Sequence, residues 1–373
     1  MKILHIIPNL RKGGAERLVI DIVRELSKKE ELNVKLVLFE NRIEYDVQDI
    51  KQFIHIIPSK IKFSLLKKNE YTIQYLQGFI NKFNPSVIHT HLFTSEIISR
   101  SCHYQNTKWF SHCHGNMGQF RNFDLQTLIN KKHLTNYYEK KYLFNSYDKN
   151  GGTHFIAISN DTKKYLEQTA STYKISLLLN AINYTRFYQN LTSKNNNEKL
   201  KMINIGSFQD KKNQVFLIEV ACILRLKNVL FELHFLGEGK NRHSLEQKIK
   251  EYQLGNYIYL HGNVEKVEEL LWQSDIYIHS ASYEPFGLVL IEAMAAGLPV
   301  ITLDGKGNRD ILENGKNGYM LFEEKPEIFA NTIINLWNDK NKYQEISVYA
   351  QQYAKQFDIH DYCKKLLIMY NQN

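Results

Sequence analysis

Glu284 and Glu292 stand eight positions apart in the stretch Glu284-Pro-Phe-Gly-Leu-Val-Leu-Ile-Glu-Ala-Met-Ala-Ala-Gly. The preceding run from Asp275 reads as an alternating strand, Pro285 and Gly287 punctuate a turn, and Leu288 to Ala296 has helical spacing. Glu284 therefore falls in the loop and Glu292 about two turns into a helix. The first turn of that helix, at Phe286, Gly287 and Leu288, offers backbone amides that attract an anion. Two carboxylates beside a phosphate-seeking helix end suit a ligand with hydroxyls to be gripped and a diphosphate to be neutralised, which describes a nucleotide sugar.

Other residue types narrow the chemistry. Gly13-Gly14 lie where glycine lets the backbone approach a ligand, although an ordinary tight turn would read the same way. They do not begin G-x-G-x-x-G; Gly237-Glu-Gly239 is followed by Arg242 where the third glycine would stand, and no G-K-[ST] loop occurs. Dehydrogenase and kinase readings lose support. His89-Thr-His91 and His112-Cys-His114 are two H-x-H pairs, each setting two imidazoles on one face of a strand. Zinc could use such pairs, but no third ligand of known spacing accompanies them, so no metal is expected. A lone histidine is more often a packing residue; a place at the C-terminal edge of a strand, where doubly wound folds bind ligands, favours a role in the site. No D-x-D occurs, so no divalent ion is expected to bridge a diphosphate.

Those residues need strands and helices to hold them. Strand-like runs at 2–7, 34–38, 87–89 and 108–111 alternate with amphipathic stretches at 15–28 and 73–83. The second half repeats the rhythm at 201–205, 231–236, 257–260, 276–280 and 300–303, which predicts two α/β domains, each a parallel sheet wrapped by helices. Residues 191–199 are polar and aperiodic and read as the linker. A chain of 373 residues fits two such cores. Residues 1–190 form the first domain and 200–360 the second, with an amphipathic helix at 361–373.

Charge divides unevenly. Residues 1–190 hold 27 Lys+Arg against 16 Asp+Glu, while 191–373 hold 21 against 23. A basic, aromatic-rich first half suits an anionic lipid surface or a pyrophosphate-bearing acceptor; nucleic acid would need one basic stripe over both halves and is not expected. Single clusters such as Lys140-Lys141 read equally well as a solvated helix face. The longest apolar run, 286–303, is broken by Glu292, Gly297 and Pro299, no secretory leader is read at Met1, and four scattered cysteines fit a reducing compartment.

Glu292-Ala-Met-Ala-Ala-Gly-Leu-Pro-Val, the Glu284 offset, Gly13-Gly14-Ala-Glu, Phe155-Ile-Ala-Ile-Ser, Asn180-Ala-Ile-Asn, Ile205-Gly206 with Lys212-Asn213, and Phe235-Leu-Gly-Glu-Gly recur in one order. In these the chain resembles the retaining glycosyltransferases of the GT-B fold, glycosyltransferase family four. The resemblance implies two Rossmann-like domains facing across a cleft, the first taking the acceptor and the second the nucleotide sugar, with the last helix crossing back to the first. It implies a UDP-linked donor and retention of anomeric configuration by front-face attack, with no metal. It gives catalytic roles to His114, Glu284 and Lys212, with Lys212 neutralising the diphosphate. It gives donor contacts to Gly14, Lys212, Glu284, Phe286, Gly287, Leu288 and Glu292, where Glu284 takes the sugar hydroxyls and Glu292 the ribose. Acceptor contacts fall to Gly13, Gly14, His91 and His112, and His112 is the alternative to His114 as the active-site histidine. The family carries an arginine after the strand glycine where this chain has Ser207, leaving Lys211 or Arg309 as substitutes. The expected acceptor is a growing surface polysaccharide or lipid-linked oligosaccharide at the inner face of a membrane, which the protein meets from the cytoplasm as a peripheral protein. A small-molecule or protein acceptor, or a non-catalytic sugar-binding scaffold, stays open.

Overall fold

The structure is a computed structural model describing residues 1–373 except 64–69, 122, 124–129, 192–198 and 373. Most of the expected linker therefore lies outside the described residues. The chain forms two compact units, Met1–Ala181 with Ile359–Asn373, and Ile182–Asp358.

The first unit is built on apolar strands, the central ones buried on both faces as parallel strands covered by helices must be. They are β1 (Lys2–Ile7), β2 (Asn33–Leu38), β3 (Ile54–Ile56), β6 (Val87–His91), β7 (Lys108–Cys113), β8 (His154–Ala157) and β9 (Lys174–Leu177). They pair in parallel in the order β3-β2-β1-β6-β7-β8-β9, while β4 (Lys60–Lys62) and β5 (Glu70–Thr72) form a separate antiparallel pair. Strand order reverses between β1 and β6, so the crevice at their C-terminal ends is where a doubly wound sheet receives ligands. β6 and β7 run two residues further than the sequence pattern predicts. The ladder continues on both sides, pairing His5 with His89 and His91 with His112, so His112 belongs to the strand and His114 follows its end.

Helix α1 (Gly14–Ser27) buries Leu18, Val19, Ile22, Val23 and Leu26; α2 (Gln74–Phe83) buries Leu76, Ile80 and Phe83. The short α3 spans Phe93–Ser99, and α4 (Lys131–Lys149) is started by Asn130, whose side-chain oxygen accepts from the amide of Lys132 at 2.9 Å. This cap satisfies one of the amides a helix start leaves open.

The second unit holds β10 (Leu200–Ile205), β11 (Phe231–Leu236), β12 (Ile258–Leu260), β13 (Ile276–His279), β14 (Val300–Leu303) and β15 (Gly318–Leu321), paired in parallel as β12-β11-β10-β13-β14-β15. Its switch point lies between β10 and β13. Helix α5 (Gln214–Leu226) follows β10 and packs on α7 (Pro326–Asn338) through Phe216 and Phe329, whose rings meet edge to face at 5.5 Å. Between them in sequence comes α6 (Leu288–Ala295). Each fully buried residue of this core, such as Phe231, Phe235 and Ile333, contributes about 1.5–3 kcal/mol.

The last helix, α8 (Ile359–Asn371), belongs to the first unit and packs on α1, burying Tyr362, Cys363, Leu366 and Tyr370. Among the described residues, no helix is long and apolar enough to cross a membrane.

Candidate active site

In the second unit the chain leaves β10 at Gly206-Ser207 and makes a single turn at Asp210–Lys212; it leaves β13 at Ser280 and reaches Glu284. Both loops stand at the C-terminal ends of the strands flanking the switch point. Backbone bonds tie them together. The amide of Ser282 donates to the Lys211 carbonyl at 3.0 Å, and the Ser280 hydroxyl to the Lys212 carbonyl at 2.9 Å. Glu284 is fixed in turn by its own amide on the Gly305 carbonyl at 2.8 Å and by the Gly307 amide on its carbonyl at 3.1 Å. Gly307 has no room for a side chain, because a Cβ there would stand 2.0 Å from the Pro285 carbonyl oxygen.

Held in this way, Glu284 Oε2 receives Lys212 Nζ at 2.5 Å and His279 Nε2 at 3.1 Å. Burial alone would raise the carboxyl pKa, but Lys212 and His279 outweigh it and keep the group ionised well below the usual carboxylate range. His279, buried on β13, has its pKa lowered, chiefly by burial and against the pull of Glu284. As a neutral ring it donates through Nε2 and turns Nδ1 toward the Tyr277 hydroxyl at 3.3 Å. Burial pushes the Tyr277 pKa well above its ordinary value, against the hydrogen bond to the Ile205 backbone, and the charges of Glu284 and Glu292 add to the rise. Both carboxylates thus act on one buried hydroxyl.

The other residues expected to hold the donor are placed in different ways. Gly287 caps α6 with φ of 103°, the left-handed region that favours glycine, and Leu288 opens the helix. Phe286 offers the site its backbone only, since its ring is buried against Phe357 at 6.0 Å. Glu292 lies half-buried on α6. A Cβ on Gly206 would lie 3.7 Å from the Lys212 side chain, so the strand-end glycine and the lysine are neighbours. Of the two cations considered as replacements beside Ser207, Arg309 is drawn into a two-point pair with Asp304 at 2.8 and 2.5 Å, and Lys211 is exposed.

Tyr277 and His279 were not singled out in the sequence. Their signal is a tyrosine and a histidine at i and i+2 of a fully buried strand, polar tips on one face of an apolar run.

In the first unit, Gly13 caps α1, and the Tyr45 hydroxyl both accepts from its amide and donates to its carbonyl at 3.0 Å. A Cβ at Gly13 would come within 2.3 Å of Glu16 Oε2. A carboxylate, with its pKa raised by burial, therefore already stands against Gly13, in the turn where donor and acceptor contacts were expected. The two H-x-H pairs converge, and His5 of β1 joins them. His5 Nδ1 lies 3.0 Å from His91 Nε2, and His91 Nδ1 lies 3.1 Å from His114 Nε2. His89 Nδ1 meets the Tyr370 hydroxyl of α8 at 2.5 Å. Burial lowers every one of these imidazoles, His5 and His114 to about 3, so all five rings are neutral.

Two family profiles match the chain, one described as Glycosyltransferase Family 4 over residues 12–186 and one as Glycosyl transferases group 1 over 189–353. EpsF of Bacillus subtilis (strain 168), named as a glycosyltransferase, is 23% identical over 357 residues, covering 89% of this chain and 86% of that one. Some other relatives match over less than half of their own length. Among solved structures, Anabaena HepE in complex with UDP and glucose superposes with a TM-score of 0.79 at 17% identity over the whole of both chains. A variant of S. aureus TarM in complex with fondaparinux, alpha-GlcNAc-glycerol and UDP gives 0.77 at 16% identity, again over both whole chains. With one glycosyltransferase profile on each unit and the doubly wound sheets in place, this chain belongs to the glycosyltransferases of the GT-B fold.

Proposed function

We propose that this glycosyltransferase moves a sugar, with retention of anomeric configuration, from a UDP-linked donor to a hydroxyl of a growing surface polysaccharide or lipid-linked oligosaccharide. The observation that carries the reading is the Glu284 carboxylate, gripped on one oxygen by Lys212 and His279 at the switch point of the second sheet. The UDP bound to HepE and TarM supports the donor class, and the saccharides in the TarM complex support the acceptor class.

Cleaving the bond between sugar and phosphate builds positive charge at the anomeric carbon and negative charge on the leaving diphosphate. Lys212 and the amides at the start of α6 take the phosphates, Glu284 takes sugar hydroxyls, and Glu292 takes the ribose. These carboxylates position the donor, and the leaving phosphate accepts the proton of the attacking hydroxyl. His114 contacts the transferred sugar, and Gly13, Gly14, His91 and His112 line the acceptor side. The diphosphate charge is met by protein cations, so transfer persists in excess chelator.

The basic first half gives the protein a reversible hold on the anionic inner face of a membrane, where such acceptors are extended. Incubation with a panel of nucleotide sugars, with and without oligosaccharide-lipid acceptors, tests the assignment by released nucleoside diphosphate. Release from UDP-sugars that accelerates with acceptor is expected. Release from no donor in the panel by the folded protein would remove it.

A further inference from the structure

The histidine cluster has more coordinating capacity than sugar contact requires. His112 is 2% exposed and neither ring nitrogen has a hydrogen-bond partner, although Asn180 lies close enough to favour its charged form. Nε2 of His5 and of His89 are likewise buried without a partner. Buried polar atoms are ordinarily paired, and four orphaned ring nitrogens in one cluster need an explanation. All the rings are neutral, which is the ligating form of imidazole.

The ring nitrogens of His91, His112 and His114 fall within 4.8 Å of one another, as do those of His5, His89 and His91. The His112 and His114 rings stack at 4.4 Å, and His91 stands 5.1 Å from His112 between centroids. Two imidazoles on one tetrahedral zinc, with Zn–N of about 2.0–2.1 Å, hold their nitrogens roughly 3.3 Å apart. His91 Nδ1 and His114 Nε2 are already at 3.1 Å. The His5 set is buried throughout, whereas His114 is half-buried, so the other set is the one that solvent can approach.

We propose that His91, His112 and His114 bind a divalent transition-metal ion of the zinc class, and that the bound ion withholds His114 from the sugar. Neutral imidazoles select such ions over magnesium and calcium, which require oxygen ligands. The convergence depends on register. Each H-x-H pair supplies two rings on its own strand, and the pairing of His91 with His112 supplies the third. Metal binding stands independently of the glycosyl-transfer reading; only the inhibitory half rests on it.

The test is titration of the metal-free full chain with cobalt(II), followed by visible absorption, and with zinc by calorimetry. One ion per chain is expected, with the absorption bands of a nitrogen-ligated tetrahedral site. Outer-sphere partners alone are worth about 10–100-fold in metal affinity, so His112→Gln and His114→Gln should each weaken binding by at least about a hundredfold. Ring-nitrogen NMR of the unaltered protein keeps the test open should the variants fail to fold: zinc should move the signals of these three rings. No binding by the folded chain, equal binding by variants that melt like the parent, or ring signals that do not move would overturn the site. Stoichiometric zinc should also slow UDP release, with recovery on adding chelator. Zinc bound at the three rings with UDP release undiminished would leave the site standing and remove the sugar contact of His114.

Discussion

At the scale of single residues, Lys212 sets the ionisation of the second unit's site. Its side chain is 16% exposed and that of Glu284 10%, so removing the cation leaves a buried carboxylate with His279 as its remaining charge-stabilising partner. Lys212→Met should destabilise the protein by roughly 3 kcal/mol, the low end of what a broken buried pair costs. It should also lower transfer about 10²–10³-fold, the range for losing one donor to developing charge. A thermal melt and a donor-hydrolysis assay read the two effects, and unchanged values in both would detach Lys212 from the site. Glu292→Ala should leave the melt unchanged while costing roughly 1.5–3 kcal/mol in kcat/KM at subsaturating donor, through lost charge-assisted hydrogen bonds. Full efficiency would show that Glu292 does not hold the donor. Glu284 and Glu292 could be read from a local pattern of loop and helix turn, whereas Lys212 was read only through its register with the family. Tyr277 and His279 escaped because, in a strand buried on both faces, local spacing does not tell an inward polar tip from a packing residue.

Elements show where such local reading ends. Strand positions were recovered because β1, β11 and β14 are short apolar runs between turn signals. Which strands lie side by side is a matter of topology and register, so His5 could not be joined to His91 from the sequence. Helix α4 carries tyrosines, lysines and asparagines around its circumference and lacks the apolar stripe that announced α2. Helix α8 was legible as amphipathic, but only the family resemblance directed it back to the first domain, and nothing named α1 as its partner. There Glu25 of α1 accepts from His360 at 2.5 Å. Burial pushes the Glu25 pKa up, while His360 and Lys28 more than offset this and hold it below its ordinary 4.5. A depressed carboxyl pKa contributes stability above the unfolded value and loses it as pH falls through the folded one. Glu25→Gln should therefore cost about 1 kcal/mol at pH 7, and the gap from the parent should close as pH falls below about 4.5. Denaturant melts across that range would show a constant gap if the pair carried no such weight.

Over the whole molecule, the excess positive charge resides in residues 1–190. On α4, Lys131, Lys132, Lys141 and Lys149 are exposed beside Tyr138, whereas Lys140 turns inward and donates to the Phe120 carbonyl at 2.9 Å. The proposed docking is thus better probed with the four exposed lysines. Each one near an anionic surface contributes about 1 kcal/mol, fading over a Debye length of about 8 Å at physiological salt. Liposomes with acidic lipid should float the protein at low salt and release it at high salt, and changing the four lysines to Glu should abolish flotation while sparing donor hydrolysis. Equal recovery on neutral liposomes would point away from charge.

The first unit also takes its last piece, α8, from beyond the second, and Tyr370 reaches back to His89 across 281 positions of chain. During synthesis the ribosome delivers β1 through β9 long before α8, which lays Leu366 and Tyr370 against the first unit. Until then the patch beside α1 that Leu366 and Tyr370 occupy waits uncovered, and the second unit's chain is complete before the first unit's is. At roughly 5–20 residues per second, that wait is on the order of ten seconds or more. The second unit can thus finish folding before the first has all of its chain.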